Sequence, residues 1–135
     1  MPLPVTALYA GLLGLLLVFL SANVVLARRR YGVRLGVGDE DGMQQAVRVQ
    51  ANFCEYVPFA LLLLLFSELA GLSAAWLHAA GAVLLASRLI HARGLSQSPG
   101  RSFGRFYGTA GTWIVVLGLS AWLLVAATAA FRAPG

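Results

Sequence analysis

Four apolar stretches, residues 5–27, 46–70, 72–92 and 103–131, dominate this chain, and each is long enough to cross a bilayer as a helix. A hydrocarbon core of about 30 Å needs about 20 residues at roughly 1.5 Å of rise each. Composition agrees: 59% of the 135 residues are hydrophobic and 11% charged, against roughly half and a quarter in soluble domains. The chain is therefore read as an all-α membrane protein, one domain over residues 1–135 folded as a four-transmembrane-helix bundle. Its first stretch lacks a basic leader and exceeds the apolar region of a signal peptide, so it is expected to be a permanent span.

The net charge of +5 comes from arginine alone, there being no lysine. Basic chains bind nucleic acid or anionic lipid, but here position argues for topology instead. Arg28, Arg29, Arg30 and Arg34 fall in the first connection and Arg93, Arg101 and Arg105 in or beside the third, whereas the second carries only Glu68 and the tail only Arg132. By the positive-inside rule, connections one and three are cytoplasmic and both termini lie opposite. No nucleic-acid partner is expected. Cys54 is the sole cysteine, so an internal disulfide is excluded, and no Cys/His spacing resembles a zinc or haem site.

The longest connection, 28–43, combines four arginines with turn-prone Gly36, Gly38, Asp39, Asp41 and Gly42, and is expected to be a loop able to cover something. Between spans two and three, Gly71 can end one helix and Ser73 cap the next, forcing an antiparallel hairpin. Residues 94–100 are expected to form an ordered turn, with Ser102 capping the fourth helix. Gly11, Gly14, Gly104, Gly108 and Gly111 are placed at helix contacts, because association inside lipid relies on close backbone approach.

The segment RVQANFCEYVP, from Arg48 to Pro58, carries a polar stripe at the head of an apolar span. Arg48, Asn52 and Glu55 fall within roughly 60° of one another on a helix turning about 100° per residue. Pro58, one turn further, deprives the Cys54 carbonyl of its helical donor and is expected to kink the helix. The bland alternative has Arg48 reaching the headgroups, Glu55 pairing with it and Asn52 joining two helices. Cys54 points about 120° from the stripe, with nothing to activate it, and is assigned to packing. Gln50, about 200° from Arg48, can reach the same ligand only across a subunit boundary.

A second cluster, Arg88 and His91 at i and i+3 of span three, faces the same membrane surface and is expected near Asn52 and Glu55, either within one subunit or across a subunit contact. Arg105 opens span four, with Arg101 one turn earlier. Three arginines, 48, 88 and 105, gather there against one carboxylate, Glu55. Such an excess in a partly dry crevice suits an anionic ligand, carboxylates in particular.

Arg48-x-Gln50-x-Asn52-x-x-Glu55-Tyr56-x-Pro58 resembles the second-helix signature of the cysteinyl-leukotriene synthase branch of the MAPEG family, the membrane-associated proteins of eicosanoid and glutathione metabolism. Arg88-x-x-His91 resembles the third-helix motif of its prostaglandin E synthase and short bacterial branches. That resemblance implies a homotrimer with glutathione at cytoplasmic-side subunit interfaces. It implies glutathione contacts from Arg48, Gln50, Asn52, Glu55, Tyr56, Arg88, His91 and Arg28. It also implies an arginine at the start of span four that stabilises the thiolate, Arg105 or, second, Arg101. Leu95 stands where both eicosanoid-making branches have a tyrosine, so one ligand contact is absent. The implied activity is conjugation of a lipophilic small-molecule substrate or peroxide reduction, in a bacterial inner membrane. The alternative is a non-catalytic lipid-binding or scaffold member of the same fold.

Overall fold

The computed structural model describes residues 3–97 and 103–132, the side chains of residues 94–97 and of Arg105 excepted. It contains four helices: α1 (Pro4–Tyr31), α2 (Asp41–Leu69), α3 (Ala74–Gln97) and α4 (Phe103–Arg132). Each is long and apolar enough to cross a membrane. The central pair is α2 and α3; α1 and α4 each pack on both and, among the described residues, do not meet one another.

A narrow seam holds the bundle together. On α2 the buried positions Val49, Phe53, Val57, Ala60, Leu64 and Ser67 recur every three or four residues, which lines one face of a helix. Tyr9, Leu13, Leu20 and Val24 do the same on α1, and Leu77, Leu84, Val115 and Leu119 complete the seam from α3 and α4. Outside it, Leu15, Phe19, Phe66, Ile114, Leu117 and Leu124 lie exposed, as expected of side chains that face lipid.

Two connections differ from the reading of the sequence. The first loop is only 32–40, because α1 runs through Arg28, Arg29 and Arg30 and α2 begins at Asp41. The cause is electrostatic: cations in a last turn and an acid in a first turn both suit the helix dipole, so charge prolongs these helices beyond the apolar stretch. Gly32, at φ +68°, then stops α1, the Val33 amide donating to the Arg28 carbonyl at 3.1 Å. The turn expected to start at Gly94 is instead helical to Gln97, since nothing before Pro99 forbids it. Pro99, the rest of that turn and the expected cap Ser102 lie outside the described residues.

The α2–α3 corner follows expectation. Gly71 takes φ +87°, its amide donates to the Glu68 carbonyl, and the Leu72 amide donates to the Ser67 carbonyl at 2.9 Å, the paired pattern of a left-handed helix stop. Pro58 lies inside α2 without ending it.

At this same end of the bundle Glu68 reaches across to α1, its Oε1 and Oε2 accepting from the Val5 and Thr6 amides at 3.1 and 2.7 Å. These are two of the donors that a helix start leaves unpaired. Nearby the Tyr9 hydroxyl donates to the His78 carbonyl at 3.0 Å, its ring pressed against the Gly81 backbone. At the opposite end Gly108 and Gly111 let α4 approach Ser87 and His91 of α3. Gly11 and Gly14, by contrast, face open space within this chain.

Candidate functional site

Arg88 is the centre of the arrangement at the basic end of the bundle. It is only 2% exposed, and its guanidinium spans three helices. Nη1 donates to Asn52 Oδ1 of α2 and Nη2 to the Gly108 carbonyl of α4, both at 2.8 Å. The Tyr56 ring lies beneath it, 5.9 Å from centroid to guanidinium carbon, within range of a cation–π contact. Its Nε is buried without a partner. Among the described residues no carboxylate stands within ion-pair distance of Arg88. A buried guanidinium held only by neutral acceptors keeps its full charge uncompensated, a costly arrangement in the absence of an anion.

The Gly108 carbonyl also accepts from Thr112 Oγ1, one turn on and fully buried, at 2.9 Å. A carbonyl with two lone pairs can take both. Close packing supplies the access: a Cβ on Gly108 would stand 2.5 Å from His91 Cβ and 2.7 Å from the Ser87 carbonyl oxygen. His91 is thereby buried against α4.

The stripe on α2 divides in two. Asn52 turns inward to Arg88, while Arg48 and Glu55 stay on the outer face, 61% and 52% exposed, their nearest atoms 3.9 Å apart. That separation is at the limit for an ion pair, and such exposed pairs contribute about 0–1 kcal/mol. Glu55 and Tyr56 also open an apolar groove of about 360 Å³ between α2 and α4, continued by Phe59, Trp113, Val116 and Leu117.

Gln50 is on the other side of α2, where its amide donates to Ser21 Oγ of α1 at 2.8 Å. Arg28 donates to the Gly36 carbonyl at 3.0 Å and so holds the first loop. Within one chain, then, Arg88, Asn52 and Tyr56 come together, Arg48 and Glu55 stand beside them, and Gln50 and Arg28 do not join. Arg105 has its backbone in the first turn of α4, three residues before Gly108; its side chain, like the whole of Arg101, is outside the description, as is the side chain of Leu95. Cys54 is exposed rather than packed, because it projects about 100° from the centre of the Val49–Phe53–Val57 face.

Sequence reasoning missed the Gly108 carbonyl and Thr112. The signal available was a glycine and a threonine four residues apart on α4, which marks a carbonyl that a side chain one turn on can reach. It also missed the α2–α4 groove, whose far wall comes from residues sixty positions distant.

A family model described as the MAPEG family matches residues 6–125. The chain is 41% identical over 113 residues to the inner membrane protein YecN of Escherichia coli K12, covering 84% of this chain and 85% of that protein. The same figures hold for YecN of Escherichia coli O6:H1. Four spans, these matches and the aligned length make it an integral, multi-pass protein of the bacterial inner membrane. With residues 6–125 matched and a relative 41% identical over 84% of this chain, the chain belongs to the MAPEG family.

Proposed function

We propose that this protein is a membrane-bound glutathione transferase that conjugates lipophilic electrophiles, or reduces lipophilic peroxides, by way of an arginine-stabilised thiolate. The observation that carries the reading is the uncompensated, buried charge of Arg88 beside Asn52 and Tyr56. An anionic tripeptide with two carboxylates answers that charge, and guanidinium groups suit carboxylates in geometry as well as sign. Arg48 and Glu55, loosely paired and exposed, are free to exchange their contact for a ligand's carboxylate and ammonium.

Gln50 and Arg28 lie on the α1 side of α2, away from Arg88. A ligand touching both sets must sit between subunits, where one chain offers Arg48, Asn52, Glu55, Tyr56, Arg88 and His91 and the next offers Gln50 and Arg28. Contacts between unlike faces form a ring when the rotation between subunits closes, and a homotrimer is the ring that the family resemblance implies.

Bound glutathione would supply a thiol as nucleophile. A thiol of pKa about 8.5 is a few per cent ionised at neutral pH, and lowering it by about two units takes about 2.7 kcal/mol of preferential thiolate stabilisation. The family resemblance assigns that role to Arg105, or else Arg101, and a partly desolvated guanidinium can supply stabilisation of this size. The groove opening at Glu55 and Tyr56 admits the electrophile from the bilayer.

Equilibrium dialysis of the purified protein tests this reading: binding at millimolar glutathione, with ultraviolet thiolate absorbance on mixing, is the expected result. Arg105→Ala removes the absorbance and leaves binding, whereas Arg48→Ala weakens binding itself. Absence of binding at millimolar glutathione refutes the proposal. One observation favours the second reading, a non-catalytic lipid-binding scaffold: an apolar groove of about 630 Å³ between α3 and α4, bounded by Trp76 and Trp122. Co-purified lipid that competes with glutathione, without conjugation of a model electrophile, would establish it instead.

A further inference from the structure

A third cleft, of about 340 Å³, opens between α1 and α2 on a different face of α1 from Arg28 and Ser21. Leu20, Asn23, Ala27 and Arg30 line it from α1, and Gly42, Gln45, Ala46 and Val49 from α2. Both sets follow helical spacing of three and four residues, so each is one continuous wall. Tyr31 shapes the mouth: its ring lies on the backbone of Gly42, where a Cβ would collide with it, and Arg30 sits over the same ring at 5.7 Å.

The lining is graded. Arg30 stands at the basic end of α1, the exposed Asn23 amide lies two turns back along the helix, the half-buried Gln45 faces from α2, and the side chains of Leu20 and Val49 are buried. Neither amide has a hydrogen-bond partner among the described residues, and no acidic residue lines the cleft, the run Asp39 to Asp41 stopping short of it. Asn23 and Arg30 are seven residues apart, about 10 Å along the helix. An interfacial layer is roughly 5–8 Å deep in each leaflet, so a wall of this length is longer than that layer is thick.

We infer that this cleft binds one anionic glycerophospholipid. Arg30 takes the phosphate, Asn23 and Gln45 donate to the ester carbonyls below it, and an acyl chain leaves over Leu20, Leu26 and Val49. Free phosphate has no use for the apolar floor, and a bare hydrocarbon has none for a guanidinium and two amides. Basic pockets between membrane helices are suited to acidic headgroups. The site is independent of glutathione, sharing no residue with the Arg88 cluster.

Native mass spectrometry of the detergent-solubilised protein, titrated with phosphatidylglycerol or phosphatidylcholine, decides the matter. Phosphatidylglycerol is expected to be retained about tenfold better than phosphatidylcholine, and Arg30→Gln to lower that retention about tenfold, the loss of one charge-assisted hydrogen bond. Arg29→Gln removes the same charge outside the cleft and is expected to leave retention unchanged. Circular dichroism confirms that each variant is folded. Equal retention of the two lipids overturns the inference, and so do equal losses from the two substitutions. Displacement of phosphatidylglycerol by millimolar inorganic phosphate would reassign the site to a free anion, and a change of oligomeric state in Arg30→Gln would make the cleft a subunit contact; either rejects the lipid.

Discussion

Gly108→Ala tests the close α3–α4 contact on which the Arg88 cluster rests. The added methyl would stand 2.5 Å from His91 Cβ, 2.7 Å from the Ser87 oxygen and 2.9 Å from His91 Cα. Carbon atoms in contact prefer about 3.5–4.0 Å, so the two helices must part by about 1 Å. Two of the three obstacles belong to the backbone, and no change of rotamer removes them. Forced overpacking costs about 1–3 kcal/mol. The same displacement carries the Gly108 carbonyl beyond reach of Arg88, now at 2.8 Å, which costs about 1–2 kcal/mol for a polar contact between membrane helices. Higher helix propensity returns about 1 kcal/mol. A net loss of about 1–4 kcal/mol is expected from these components, measured by denaturant unfolding in mixed micelles. Gly118→Ala is the control, since nothing lies within 4 Å of its added Cβ, and it should change stability by less than about 1 kcal/mol. If Gly108→Ala falls within about 0.5 kcal/mol of the parent, a typical surface effect, the close contact and its role in seating Arg88 are wrong.

Glu68→Ala strips the start of α1 of two acceptors and is expected to cost about 1–3 kcal/mol, with faster hydrogen exchange at the Val5 and Thr6 amides; unchanged exchange there would contradict the clamp. Tyr9→Phe keeps the ring against Gly81 and removes only the hydroxyl bond to His78, so a loss of about 1 kcal/mol is expected in the same unfolding assay. Arg48→Ala should alter stability by under about 1 kcal/mol while lowering glutathione affinity in dialysis, which separates a ligand contact from a structural one.

Helices two and three and the corner between them were legible because each carries its own local signal. Apolar length marks the spans, and Gly71 and Ser73 punctuate the corner. The pairing of Arg88 with Asn52 was legible too, as two polar residues at the same depth of a hairpin. The true ends of α1 and α2 were not, since arginine reads as loop by polarity although it forms helix readily. Glu68 looked like an isolated charge in a short connection. Its partners, the Val5 and Thr6 amides, are backbone groups that no side-chain pattern announces. The unequal fate of Arg48 and Asn52, four residues apart on one stripe, depends on where α3 and α4 lie, and spacing within α2 carries no trace of that.

Arg88 also has a consequence for biogenesis. A guanidinium inside a lone span raises the free energy of entering lipid, by about 2.5–3.5 kcal/mol at the centre and less towards the end where Arg88 lies, and α3 is the least apolar of the four spans. Relief comes only when Asn52 of α2, already synthesised, and the Gly108 carbonyl of α4, synthesised later, are both in place. The third helix is thus the one whose passage from translocon to bilayer leans on its neighbours, and a ribosome stalled before α4 would leave that passenger half accommodated.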